Sequence, residues 1–178
     1  SKWEKPLLEY YEKNPDFIAP ASRKNEVISF VKSGLKDLSI SRKSFSWGIK
    51  VPSNNDHVIY VWLDALTNYI SSIGWNTDEK KFNALWPANY HLIGKDIITT
   101  HAVFWSTMLL ASNIKLPKSI FAHGWWLMED RKMSKSIGNT IKPLDLADKY
   151  GTDSLRYYLM RNMVIGQDAT FTFSSFID

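Results

Sequence analysis

Apolar positions recur at steps of three and four near the start of the chain, then give way to short apolar runs separated by turn residues. Trp3, Leu7, Leu8 and Tyr11 fall on one helical stripe, which Asn14-Pro15 ends. A second helix is predicted with Asn25 as its cap, Val27, Ile28 and Val31 as its apolar side and Gly34 as its stop. Residues 35–51 are irregular, with Trp47 to Val51 reading as a strand closed by Pro52. Ser53-Asn54-Asn55-Asp56 predicts a turn that bounds a domain. From His57 the pattern alternates strands with helices, which predicts a parallel sheet covered by crossover helices, an α/β fold. The strands expected are 57–62, 90–93 and 119–123. Asp64 is expected to cap a helix carrying Leu66, Tyr69, Ile70 and Ile73, and a long helix is expected over roughly 97–112. Beyond a turn at Glu129-Asp130 and a basic loop, two short helices are predicted from Pro143 to Lys149 and from Asp153 to about Met163.

Composition narrows the possibilities. The 178 residues are 44% hydrophobic and 22% charged, as in a globular chain able to bury a core. With no cysteine, disulfide scaffolds, cysteine–zinc sites, iron–sulfur clusters and thiol nucleophiles are excluded within this segment. No apolar run approaches a membrane span and the first residues lack the apolar stretch of a secretion signal, so a cytoplasmic protein with no membrane contact is expected. A net charge of +4 permits a polyanionic partner without requiring one. Eight tryptophans serve a large core or a pocket for an apolar or planar ligand.

Ligands of open parallel sheets bind beyond the carboxyl ends of the strands. Three such ends are readable: Trp62-Leu63-Asp64, Gly94-Lys95-Asp96 and His123-Gly124. No two glycines are two residues apart, so the dinucleotide fingerprint is missing, as are the phosphate-binding P-loop and the Gly-x-Ser-x-Gly elbow. The four histidines lack the spacing of a helical metal pair, and no metal ligand is visible. Ile97, Thr100, His101, Phe104 and Trp105 share one helix face. That face is either a core helix whose histidine has a buried partner or, with Trp62 and Tyr69, the wall of a pocket for a small apolar side chain. Asp96 is either an ordinary helix cap or an acceptor for a ribose or amino group.

Lys132-Met133-Ser134-Lys135-Ser136 is the complete second motif of the class I aminoacyl-tRNA synthetases, and it follows a Rossmann-like strand as in that family. Tyr60 to Tyr69, His91 to Ile97 with His101 to Trp105, and His123-Gly124 resemble the corresponding blocks of the methionyl-tRNA synthetases. Leu66, Asn68 and Gly166-Gln167-Asp168 resemble the shorter bacterial and organellar type. The resemblance implies the second half of a Rossmann-type catalytic domain. Residues 1–55 would end a connective insertion, 56–124 would complete the catalytic domain, and 125–178 would hold the signature loop and begin a stem-contact fold.

By the same resemblance, Trp62, Tyr69, Ile97, His101 and Trp105 form the methionine pocket. Gly94 and Asp96 contact the ribose of ATP, His123 and Gly124 lie by the adenine, and Lys132 and Lys135 belong to a mobile loop over the triphosphate. Met133 and Ile137 are expected to anchor that loop, and Gly138 to let it move. The substrates implied are methionine, ATP with Mg2+ and tRNA(Met), joined in two steps through methionyl-adenylate. The rivals are a class I synthetase for another apolar amino acid, or a silent RNA-binding paralogue. No His-x-Gly-His, the first motif of the class, occurs in these residues. The segment is therefore expected to be part of a longer chain and inactive alone.

Overall fold

A computed structural model describes residues 2–178. Among the described residues, three small sheets and eight α-helices follow one another along the chain, with one 3₁₀ turn and one π-helical stretch. The first helix, α1 (Glu4–Lys13), buries Leu7 and Tyr11, as its stripe predicts. It leads into β1 (Ile18–Ala19), a two-residue strand with no periodic signal of its own. Next comes α2 (Ala21–Lys32), which starts after Pro20, four residues before the expected cap; Asn25 is an interior helical residue. Pro20, with φ near −75°, already supplies an entry geometry that needs no side-chain cap.

Strands β2 (Ser41–Arg42), β3 (Lys50–Val51) and β4 (Asn54–Ile59) form an antiparallel sheet in the order β2-β4-β3. Two expectations are corrected here. The turn sits at Pro52-Ser53, and Asn54 to Asp56 already belong to β4. The strand expected over 57–62 ends at Ile59 and joins this antiparallel sheet rather than the parallel one. Helix α3 (Val61–Ser71) then starts at Val61 with Tyr60 as its cap, leaving Asp64 in the first turn. A carboxylate there still complements the positive end of the helix. The suggested domain boundary at 55/56 falls within β4.

Helix α4 (Glu79–Leu85) is capped by Asp78, whose carboxylate accepts from the Lys81 amide at 2.9 Å. Strands β5 (Tyr90–Gly94) and β6 (Ser119–His123) pair in parallel from Tyr90↔Ser119 to Gly94↔His123, and β1 pairs in parallel with the other side of β6. The order β1-β6-β5 makes the parallel sheet of the expected α/β fold, with β1 standing where the 57–62 strand was expected. The crossover from β5 to β6 is not a uniform helix. It opens with a 3₁₀ turn at Lys95–Ile97, widens to a π-helical stretch over Thr100–Trp105 and ends as α5 (Ser106–Ala111). Tyr11 Oη donates to the Ala102 carbonyl at 2.7 Å and Ser106 Oγ to that of His101 at 3.2 Å, so the widened stretch keeps buried partners. Burial raises the Tyr11 pKa and keeps that donor protonated.

This crossover packs on the parallel sheet and on α1 and α2, burying Ile93, Ile98, Val103, Leu109, Ile120, Val27 and Val31 in one core. A second, smaller core gathers Leu146, Leu155, Tyr158 and Phe171 from α6 (Pro143–Tyr150), α7 (Thr152–Asn162) and β9 (Ala169–Phe171). It lies against a third sheet in the order β8-β7-β9, with β7 at Trp126–Met128 and β8 at Arg131–Lys132. Glu129 and Asp130 both have positive φ, 50° and 63°, the geometry of a two-residue primed hairpin turn. Helix α8 (Phe173–Ile177) closes the described chain. No helix among the described residues is long and apolar enough to cross a membrane.

Candidate functional site

The carboxyl ends of β5 and β6 lie side by side, and the 3₁₀ turn leaving β5 divides the residues around them into two clusters. On one side lies an aromatic cluster. Tyr69 Oη lies 3.0 Å from His101 Nε2, and His101 Nδ1 lies 2.9 Å from the Ile97 carbonyl. A carbonyl only accepts, so Nδ1 carries the proton, Nε2 is a lone pair, and Tyr69 donates to it. Trp62 stands edge-on to His101 at 6.2 Å, and Trp105 lies 6.0 Å from Tyr69. The structure thus brings Trp62, Tyr69, His101 and Trp105 together, with Ile97 attached through its carbonyl.

They are not equally accessible. His101 and Trp105 are each 1% exposed, whereas Trp62, Tyr69 and Ile97 are half-buried. Trp105 therefore forms the back of the cluster, and a ligand would meet Trp62, Tyr69 and Ile97 first. His91 has no role predicted from the residue pattern, yet its Nε2 accepts from Trp105 Nε1 at 3.1 Å and its ring lies 4.3 Å from Tyr69. Trp86, 8% exposed, closes the far side against both His91 and Trp105. Burial holds both histidines neutral, aided for His91 by the nearby His101; the His91 pKa falls to about 4.

That depression links stability to pH. Unfolded His91 binds a proton near pH 6.5, but the folded residue resists until about 4. The unfolded state therefore binds more protons in this window, and stability falls as pH drops through it. Urea unfolding of the full-length chain from pH 7 to pH 4 is expected to show this loss, with a shallower slope in His91→Gln. An identical slope in the variant would reject the linkage.

The second cluster is polar. Gly94 ends β5, and a Cβ there would approach Asp96 Oδ1 to 2.7 Å and the His123 ring to 4.0 Å. Asp96 Oδ1 accepts from Trp125 Nε1 at 3.1 Å. This bond, foremost, holds its carboxyl below the usual range; burial opposes it, and a backbone hydrogen bond and the nearby Lys132 and His123 add to the lowering. His123 Nδ1 lies 2.7 Å from the Gly124 carbonyl, which makes that nitrogen the donor. Gly124 itself is packed so closely on the Gln167-Asp168 backbone that a Cβ would overlap the Gln167 carbonyl oxygen. Only glycine fits there.

Trp125 joins these parts. Its indole lies 3.9 Å from Lys132 Nζ and 4.4 Å from Lys95 Nζ. Its amide donates to Asp168 Oδ1 at 2.8 Å, while Asp168 Oδ2 pairs with Lys95 at 2.6 Å. Trp126, by contrast, turns into the second core and stacks 5.7 Å from Tyr158.

Beyond β8, Asn139 brackets the signature loop. Its Nδ2 donates to the Lys132 carbonyl at 3.2 Å and its Oδ1 accepts from the Ser134 amide at 2.8 Å. The Ile137 and Gly138 amides both donate to the Ser134 carbonyl, with Gly138 at φ 77°. Met133 packs against the second core, but Ile137 is 69% exposed and anchors nothing here. Lys135 is exposed and makes no hydrogen bond or ion pair among the described residues.

The whole chain, residues 1–178, matches the family of tRNA synthetases class I (M). The chain belongs to this family. A methionine–tRNA ligase of Rickettsia conorii is 59% identical over 177 residues, which cover 99% of this chain and 35% of that protein. One from Listeria monocytogenes is 53% identical over 180 residues, covering 27% of its length. The chain thus spans about a third of the length of the curated relatives it matches. Methionyl-tRNA synthetase of Mycobacterium tuberculosis, solved in complex with methionyl-adenylate, superimposes with a TM-score of 0.92 at 51% identity over 99% of this chain and 35% of that one. The parallel α/β sheet of a class I synthetase family member is thus the setting for both clusters.

Proposed function

We propose that this chain supplies, within a methionine–tRNA ligase, the methionine pocket and one side of the ATP site. One observation carries the reading. A single 3₁₀ turn, Lys95–Ile97, directs Asp96 into the polar cluster and offers the Ile97 carbonyl to the aromatic one, so an amino acid and a nucleotide held there lie next to each other. Aromatic walls suit a thioether, since sulfur is favoured beside ring edges. This supports methionine over leucine, isoleucine or valine.

In the first step the methionine carboxylate oxygen attacks the α-phosphorus of ATP, the bond to the β-phosphate oxygen breaks, and pyrophosphate departs. Charge accumulates on the phosphoryl oxygens and the leaving group, and the ammonium groups of Lys132 and Lys135 offset it. Asp96, held ionised, accepts from ribose hydroxyls, and Gly94 leaves them room. His123 and Gly124 border the adenine. In the second step a hydroxyl at the tRNA(Met) 3′ end attacks the adenylate carbonyl and AMP leaves. ATP enters as its magnesium complex, the metal travelling with the substrate; no cluster of three or more His, Asp or Glu side chains among the described residues is arranged to hold a metal.

We also propose the organisation 1–55, 56–124 and 125–178 as the end of a connective insertion, the completed catalytic half-domain, and the signature loop with the start of a stem-contact fold. A cytoplasmic location follows from the role in translation.

Amino-acid-dependent ATP–pyrophosphate exchange by the full-length chain tests the function. Methionine is expected to support exchange, with leucine, isoleucine and valine far behind. Equal kcat/KM for one of these would reassign the pocket, and no exchange with any of them would favour a silent RNA-binding protein.

A further inference from the structure

We propose that Trp125 is a positioning residue for adenylate formation: its ring seats the Lys132 ammonium beside Asp96, and the Lys95–Asp168 pair holds the ring in place. The inference rests on the reading that Lys132 serves the ATP phosphates.

The backbone of Lys132 is fixed by its pairing with Leu127 across the β7–β8 hairpin, but that pairing leaves a long, flexible side chain free to wander. An indole 3.9 Å from Nζ attracts the ammonium and reduces that freedom. Trp125 is in turn fixed at its ring and at its backbone. Nε1 donates to Asp96, and the Trp125 amide donates to Asp168. The bond to the Asp96 carboxylate also polarises the indole toward greater electron density, which favours a cation beside it.

Two ammonium groups next to one ring repel each other, and Asp168 answers that problem. Its Oδ2 lies 2.6 Å from Lys95 Nζ, with the two side chains 20% and 30% exposed, so the Lys95 charge is matched locally and Lys132 is left to act on a ligand. Asp168 reaches this position because the Gln167-Asp168 backbone is pressed against Gly124 and the Ala169 amide donates to the Trp125 carbonyl at 2.9 Å.

A double-mutant cycle in the full-length chain tests this, read by methionine-dependent pyrophosphate exchange with kcat and KM separated. Trp125→Leu is expected to lower kcat roughly tenfold, as for loss of a partly desolvated cation–π contact, with the methionine KM held within about twofold. Trp125→Tyr, which keeps a ring, should recover to within about threefold of wild type. In a Lys132→Ala background, Trp125→Leu should change kcat by less than about twofold, because the residue it acts through is already gone. Asp168→Asn, which keeps the acceptor for the Trp125 amide but drops the charge, should show a smaller loss that also vanishes in that background, and it serves if Trp125→Leu does not fold. Equal losses in both backgrounds, or no recovery with tyrosine, would overturn the inference alone. A wild-type chain without methionine-dependent exchange would overturn the underlying reading and this inference with it.

Discussion

Lys135→Ala in the full-length chain is expected to slow methionyl-adenylate formation by roughly 10²- to 10³-fold while leaving methionine affinity nearly unchanged, the signature of one lost donor to a charged transition state. The structure sharpens this expectation in one respect. Lys132 lies against Trp125, whereas Lys135 is exposed and makes no polar contact among the described residues, so removing it breaks none of their bonds. A reduced rate therefore reports on the bound reactants rather than on stability. Pre-steady-state formation of adenylate is the direct measurement. A rate within about threefold of wild type would remove Lys135 from the reaction.

Trp105→Ala is expected to cost about 4 kcal/mol of stability, as for other large-to-small changes at fully buried aromatic sites. At 1% exposure, Trp105 packs against Tyr69 and Trp86 and donates its indole N–H to His91, so alanine leaves both a cavity and an unpaired imidazole nitrogen. Urea unfolding of the full-length chain measures the loss, with Trp105→Phe as the variant that refills much of the space. A cost below about 1 kcal/mol would mean that the cluster rearranges freely, and Trp105 would then face a pocket rather than back it.

The sequence separates strand from helix well where the pattern is long and poorly where the decision is tertiary. Ser119–His123 and the helix beginning at Pro143 are legible because an apolar run or a cap sits between clear turn residues. Ile18–Ala19 is not, since two residues carry no period; the strand exists because β6 offers it an edge. Val58 and its neighbours do read as a strand, but period alone cannot say which sheet receives them, and β2 and β3 do. For the site, the 97/101/105 spacing groups residues that the structure does bring into one cluster and leaves core and pocket undecided; His101 and Trp105 are buried at its back, while Trp62 and Tyr69 are half-buried at its front. His91, Trp125 and Asn139 receive no role from the pattern because their importance lies in partners 14, 43 and 5 to 7 residues away in sequence, which no local pattern reports.

The π-helical stretch between Thr100 and Trp105 separates helix length from side-chain direction. In a regular α-helix each residue advances the direction by about 100°, so adding or losing one swings everything beyond it onto another face. Here the widened turn absorbs a residue, with Tyr11 and Ser106 attending to the carbonyls it displaces. Losing one residue in a regular helix at this point would turn the residues before it relative to those after it by about 100°. The number of residues between Gly94 and Leu109, as well as their identity, therefore sets which side chains face Tyr69.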